Sequence, residues 1–280
     1  MKNYLGAVIT FIYLLAYKLT GPWDNSTHYI IAGILLFTTG IPHGAGDHLV
    51  AAKIASRQNL TFHVKPFILF YLGIMLAYAL LWYLSPLISF IIFMAISVFH
   101  FGDMEDISEA DPPHRSLELA KSVALGSGIL GFILCSHWTE SVEIVSKMQV
   151  NIPVTIPNYF LLISLGFLFL GFQKKNSTHF INTFLTLLVG YFLPLIPAFI
   201  CYFSCCHAIY SLRGMKSQLE LHFLELYKKL IPFSIGALFL GLTYMILVSK
   251  DLQVYPIFIF LSLLTLPHFL LMHKLIKRPK

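Results

Sequence analysis

Long apolar runs, separated by short polar or proline-bearing joints, follow one another along the whole chain. They predict ten helical spans at approximately 3–19, 29–49, 66–84, 86–103, 118–135, 157–172, 179–194, 196–212, 230–249 and 254–273. Several fall short of the ~20 residues that a crossing helix needs, so a count of eight or nine is the alternative. Tight turns at Ser85-Pro86 and Pro194–Pro197 make antiparallel neighbours of 66–84 and 86–103, and of 179–194 and 196–212. No soluble domain, low-complexity linker or clear repeat interrupts the series. The expected fold class is all-α, a polytopic transmembrane helix bundle, with residues 1–280 forming one integral-membrane domain.

Composition agrees with this pattern: 57% of the residues are hydrophobic and only 11% charged, far more apolar surface than a soluble domain of this size needs. The net charge of +6 is scattered over short loops, with no basic groove or aromatic platform for nucleic acid. With the N-terminus inside, Lys18, Lys147 and Lys250 are the only outer members of the nineteen Lys and Arg. That bias predicts an even number of spans, both termini cytoplasmic, and a multi-pass protein of the cell membrane. Met1-Lys2 runs straight into apolar sequence without a small-residue cleavage site, which reads as a retained first span. Cys135, Cys201, Cys205 and Cys206 form no C-x-x-C pair and read as buried free thiols.

One stretch does not suit lipid-facing filler: Gly40-Ile41-Pro42-His43-Gly44-Ala45-Gly46-Asp47-His48. Pro42 has no N–H for the carbonyl of Thr38, which predicts a kink just before His43. The glycines let a helix or ligand approach the backbone. On a regular helix Asp47 shares the face of His43, four residues away, where a carboxylate could hold the imidazole N–H. His48 lies about 140° from His43, so the two share one metal only if the helix unwinds.

Of twelve histidines, His43, His100, His207 and His268 lie near the cytoplasmic ends of spans two, four, eight and ten. All four spans run from outside to inside, which puts four imidazoles at similar depth. Ionisable groups at such depth are costly and face a cavity or one another, and imidazole suits iron, copper or zinc. His28, His63, His114, His137, His179 and His222 fall in predicted loops or at interfaces, and His273 beside Lys274 reads as interfacial. Asp103 follows His100 closely and is a candidate orienting group. The acidic run Glu105-Asp106 with Glu109 reads as a solvated loop.

Taken in order, Gly-Ile-Pro-His-Gly-Ala-x-Asp from Gly40, His-Phe-Gly from His100, Tyr-Phe-x-x-x-His from Tyr202 and Thr-Leu-Pro-His from Thr265 resemble the Brp/Blh family of prokaryotic β-carotene 15,15′-dioxygenases. No single motif is specific, but the ordered set over residues 40–268 is. The resemblance implies a multi-pass iron protein that splits the central double bond of β-carotene with O2. The product would be two retinal molecules, with a functional link to a retinal-binding opsin. It implies His43, His100 and His207 as Fe(II) ligands and catalytic residues. The family's fourth ligand lies one turn after the third, where this chain has Ser211, a poor Fe(II) ligand. Coordination is then three histidines plus water, or His268 completes the set. Asp47, Asp103 and Ser211 are left as groups around the metal.

A carotenoid is long, apolar and dissolved in the bilayer, so a membrane enzyme can take it laterally into a pocket lined by apolar and aromatic side chains. The rival classes are a transporter or proton-coupled carrier with intramembrane His and Asp, and a non-catalytic carotenoid or retinal binder. A di-iron hydroxylase or desaturase needs more clustered histidines, and no His-x-x-x-His occurs here.

Overall fold

The computed structural model describes residues 4–21, 23–102, 115–172, 177–248 and 255–276. Among these, eleven helices and no strand occur. They are α1 (Leu5–Leu19), α2 (Asn25–Arg57), α3 (Val64–Leu84), α4 (Pro86–Phe101), α5 (Arg115–Ser136) and α6 (Trp138–Lys147). After them come α7 (Tyr159–Leu170), α8 (Ser177–Gly190), α9 (Leu195–Leu219), α10 (Phe223–Val248) and α11 (Tyr255–Ile276).

A helix occupies each predicted apolar segment, but lengths differ. Five helices, α2, α3, α5, α9 and α10, are long and apolar enough to cross a membrane, while α1, α4, α7 and the Tyr255–Leu271 part of α11 are shorter apolar segments. Helix α10 begins at Phe223 rather than 230, because Leu226 and Leu230 are fully buried against Leu212 and Met215 and hold the extra turns in place. The unpredicted α6 is amphipathic: Ser141 and Val145 face inward while Glu140, Glu143 and Lys147 stay exposed, with Lys147 Nζ 2.8 Å from Glu143 Oε1. Its apolar stripe is too thin to stand out in a hydropathy reading. At the start of α2, Asp24 accepts from the Thr27 hydroxyl at 2.6 Å and the Thr27 N–H at 2.9 Å, capping the helix. Those bonds hold its carboxyl below the usual carboxylate range.

Helix α9 is the centre of the bundle. In its apolar window 78% is buried, against 17% for α3 and 11% for α10, as expected of a helix apolar all round and enclosed by others. Helices α1, α2, α5 and α8 pack on it, and Phe199, Ile200, Tyr202 and Phe203 join Ile129, Ile133 and Leu168 in the main core.

Helix α4 is held against α5 by a close backbone approach. A Cβ at Gly126 would lie 1.8 Å from the Val98 carbonyl oxygen, and one at Gly102 would lie 2.1 Å from that of Ser122. Both obstacles are backbone, so only glycine allows this contact. Gly126→Leu is expected to lower folded yield and thermal stability by the ~1–3 kcal/mol typical of overpacking. Gly166→Leu, where a Cβ meets nothing within 4 Å, should be neutral; thermal unfolding in detergent measures both.

Two histidines assigned to loops or interfaces are instead buried. His28 sits 2.7 Å from the Tyr13 hydroxyl, enclosed by Tyr17 and Trp23. His137 bridges the carbonyls of Ile133 (2.9 Å) and Leu193 (2.7 Å), so interhelical hydrogen bonding replaces solvation. His63 and His222 are exposed. Cys201, Cys205 and Cys206 are buried and free, and Cys135 is half-buried and free.

Candidate metal centre

Helix α2 is interrupted twice around the Pro-His pair. A π-helical turn spans Leu36–Gly40, closed by the Ile41 N–H bonding to the Leu36 carbonyl, and the helix breaks again at Gly46. Pro42 cannot serve the carbonyl of Thr38, and the Tyr227 hydroxyl from α10 donates to it at 3.1 Å. A second π-turn, Phe203–Ala208, carries His207 on α9. The two π-turns touch: the Thr39 hydroxyl donates to the Ser204 carbonyl at 3.0 Å. A Cβ at Gly40 would meet Leu36, Phe203 and Ser204 within 3.2 Å, so glycine sets the spacing of α2 and α9 at this level. Such π-turns recur at functional sites because they turn a side chain out of the regular register.

The histidines of four helices converge here. His43 follows the first π-turn, His207 lies in the second, His100 is in the last turn of α4, and His268 follows Pro267 inside α11. One ring nitrogen from each of His43, His100 and His268 lies within 4.8 Å of the others. His207 joins them through His100, with the two Nε2 atoms 2.9 Å apart. Two facing ring nitrogens need a proton or a cation between their lone pairs. His43, His207 and His268 are buried and His100 half-buried.

The remaining nitrogens are anchored. His43 Nδ1 donates to the Gly40 carbonyl, and His268 Nδ1 donates to Asp47 Oδ1 at 2.6 Å. The other Asp47 oxygen accepts from the Tyr71 hydroxyl at 2.9 Å. Acceptors of this kind fix the proton on Nδ1 and leave Nε2 with a free lone pair. Asp47 therefore orients His268 rather than His43, because the break at Gly46 removes the register that would have put Asp47 under His43. Tyr71 carries no sequence signal that separates it from the other tyrosines in apolar runs. Ser211 is half-buried one turn past His207 and lines neither cavity described below. Asp103, Glu105, Asp106, Glu109, His114 and the side chain of His273 lie outside the described residues.

The donor set fits a metal ion. Ring nitrogens at about 2.1 Å from one first-row metal stand about 3 Å apart when they subtend a right angle, close to the 2.9 Å between His100 and His207. Four imidazoles with no thiolate suit iron, copper or zinc.

A cavity of about 400 Å3 opens beside the cluster, with His43, His100, His268 and Asp47 in one wall and mainly apolar side chains elsewhere. His48 also lines it, stacked on Phe233 with ring centroids 3.8 Å apart, too far round α2 to join the four. A second cavity of about 80 Å3 adjoins the first, and His100, Phe203, Leu261 and Thr265 line both. Of the four histidines, His43, His100 and His268 line the larger chamber, His100 lines the smaller as well, and His207 lies behind His100.

A helical bundle with membrane-length apolar spans, and a buried polyhistidine cluster beside an apolar cavity, is the architecture of a membrane protein. The chain belongs to the β-carotene 15,15′-dioxygenase family, whose profile matches residues 34–276. It is 28% identical over 255 residues to a β-carotene 15,15′-dioxygenase from an uncultured marine bacterium, 66A03, covering 85% of this chain and 90% of that protein. No solved structure matches significantly.

Proposed function

We propose that this protein is an iron-dependent, O2-consuming enzyme that cleaves β-carotene at its 15,15′ double bond to two retinal molecules. It acts as one integral-membrane domain of about ten spans, in the cell membrane, with both termini cytoplasmic. The observation that carries this reading is the convergence of His43, His100 and His268, with His207 against His100, beside an apolar chamber. Family membership supports the substrate.

His43, His100, His207 and His268 would hold Fe(II), which supplies the activation of O2 that the balanced reaction needs: one C=C is replaced by two C=O and one O2 is consumed. The protein's contribution is positional. The carbonyl of Gly40 and the carboxylate of Asp47 hold two imidazoles with Nε2 inward. Phe203, Leu261 and Thr265 form the walls shared by the chambers. A centrally cut rod extends to both sides of the reacting bond, so two chambers suit it better than one blind pocket. The apolar lining holds the polyene in register and excludes water. Retinal leaving such a site would suit delivery to an opsin.

Expression in β-carotene-accumulating bacteria, followed by pigment chromatography, tests the reading. Retinal is expected from the unaltered chain and not from His43→Ala. Intact β-carotene, with the protein present in the membrane and iron bound, would overturn the activity. Absence of both iron and retinal would favour the carrier.

A further inference from the structure

We propose that the gap between α3 and α10 is a lateral port by which a rod-shaped apolar molecule passes from the bilayer into the larger chamber, and that Gly236 keeps it open. The identity of the rod as a carotenoid rests on the function proposed above; the port does not.

The wall of the larger chamber includes residues that are also exposed on the outside of the protein. On α10 these are Pro232, Gly236 and Leu240, spaced four residues apart and so on one face. On α3, Leu72 is 40% exposed, and Leu240 opposite it is 41% exposed. A residue that lines a cavity and is exposed outside marks its mouth. Helices α3 and α10 are also the least buried of the five long spans, so the faces beside the mouth are those that meet lipid.

Depth identifies the occupant. Gly236 lies in the middle of α10, a helix of 26 residues, or roughly 20 Å from either end at 1.5 Å per residue. A mouth at that level of a crossing helix opens into hydrocarbon, out of reach of a water-soluble ligand. Its rim presents aliphatic side chains, and the chamber behind it is apolar except for the histidines, Asp47, Tyr71 and Thr265.

Gly236 controls clearance. A Cβ there meets nothing within 4 Å, so a side chain would stand in the mouth without displacing the fold. Gly73 on α3 is equally open and exposed but does not line the chamber, which makes it the control for a large residue on a lipid-facing surface.

The test uses the full chain in lipid nanodiscs with two readouts. One is retinal formation from β-carotene in the bilayer, with iron content measured in parallel. The other is induced circular dichroism of diphenylhexatriene, a polyene rod that gives no such signal in bulk lipid. Gly236→Phe is expected to lower turnover at least tenfold and abolish the induced signal while iron content is kept. Gly73→Phe should stay within twofold of the unaltered protein; Gly236→Leu, a smaller plug, keeps the test in force if phenylalanine lowers yield. Unchanged turnover and dichroism in the plugged variants would overturn the port and leave the enzyme standing. A signal lost only on plugging, with no retinal from any variant, would support the port and remove the enzyme. No induced signal in the unaltered protein would overturn the port.

Discussion

Alanine at His43, His100, His207 or His268 is expected to remove iron and reduce retinal formation to background. Each position supplies a ring nitrogen to one buried cluster, with His43, His100 and His268 mutually within 4.8 Å and His207 2.9 Å from His100. Losing a ligand should weaken metal binding beyond the roughly 10–100-fold that loss of an orienting group costs. Iron stoichiometry of the purified variants, read with retinal yield, is the measurement, and a variant that keeps both falls out of the ligand set. His207→Ala is the most informative of the four, because its only hydrogen-bonded contact with the cluster is His100. Ser211→His is expected to leave iron stoichiometry unchanged, since His268 already occupies the cluster that Ser211 does not line. A gain of iron in that variant would show that the fourth position belongs one turn past His207.

The second large effect is expected at Asp47. Its carboxylate accepts from both His268 and Tyr71 while only 3% exposed. Asp47→Ala leaves the His268 N–H without its acceptor, which costs about 1–3 kcal/mol for a buried group left unpaired, while the Tyr71 hydroxyl keeps the Leu264 carbonyl at 3.3 Å. It also frees the His268 ring, so iron affinity should fall by roughly 10–100-fold. Asp47→Asn retains one acceptor oxygen for His268 and should lose less of both. Tyr71→Phe removes one bond to a carboxylate that keeps the other, and should be milder still. Metal titration with thermal unfolding ranks the three; equal iron affinity in Asp47→Ala and the unaltered chain would remove its orienting role.

The four histidines are legible in the sequence because each is an ionisable group within or at the end of an apolar run, where burial against a partner is the physical expectation. The structure brings His43, His100, His207 and His268 together, although His100 ends its helix while His43 and His207 lie mid-helix, because α2 and α9 run on past the predicted span ends. Azimuth was harder to read. The partner of Asp47 follows from helical periodicity only if the helix is unbroken, and the break at Gly46 reassigns it from His43 to His268. The π-turns at Leu36–Gly40 and Phe203–Ala208 likewise alter azimuth in apolar stretches whose residue types do not announce it. Tyr71, Phe203 and Gly236 matter through where their helices pack, a tertiary property. Helix α6 stands outside the predicted spans because an amphipathic ten-residue segment is too short and too polar to be one.

The bond from Tyr227 to Thr38 has a mechanical consequence. Its donor rides on the helix that flanks the mouth of the chamber, and its acceptor belongs to the turn leading into His43. The carbonyl is available because Pro42 has no hydrogen to give it. Any tilt of α10 would therefore be felt at the turn that leads into His43, so the lipid-facing helix and the posture of His43 are coupled through one bond.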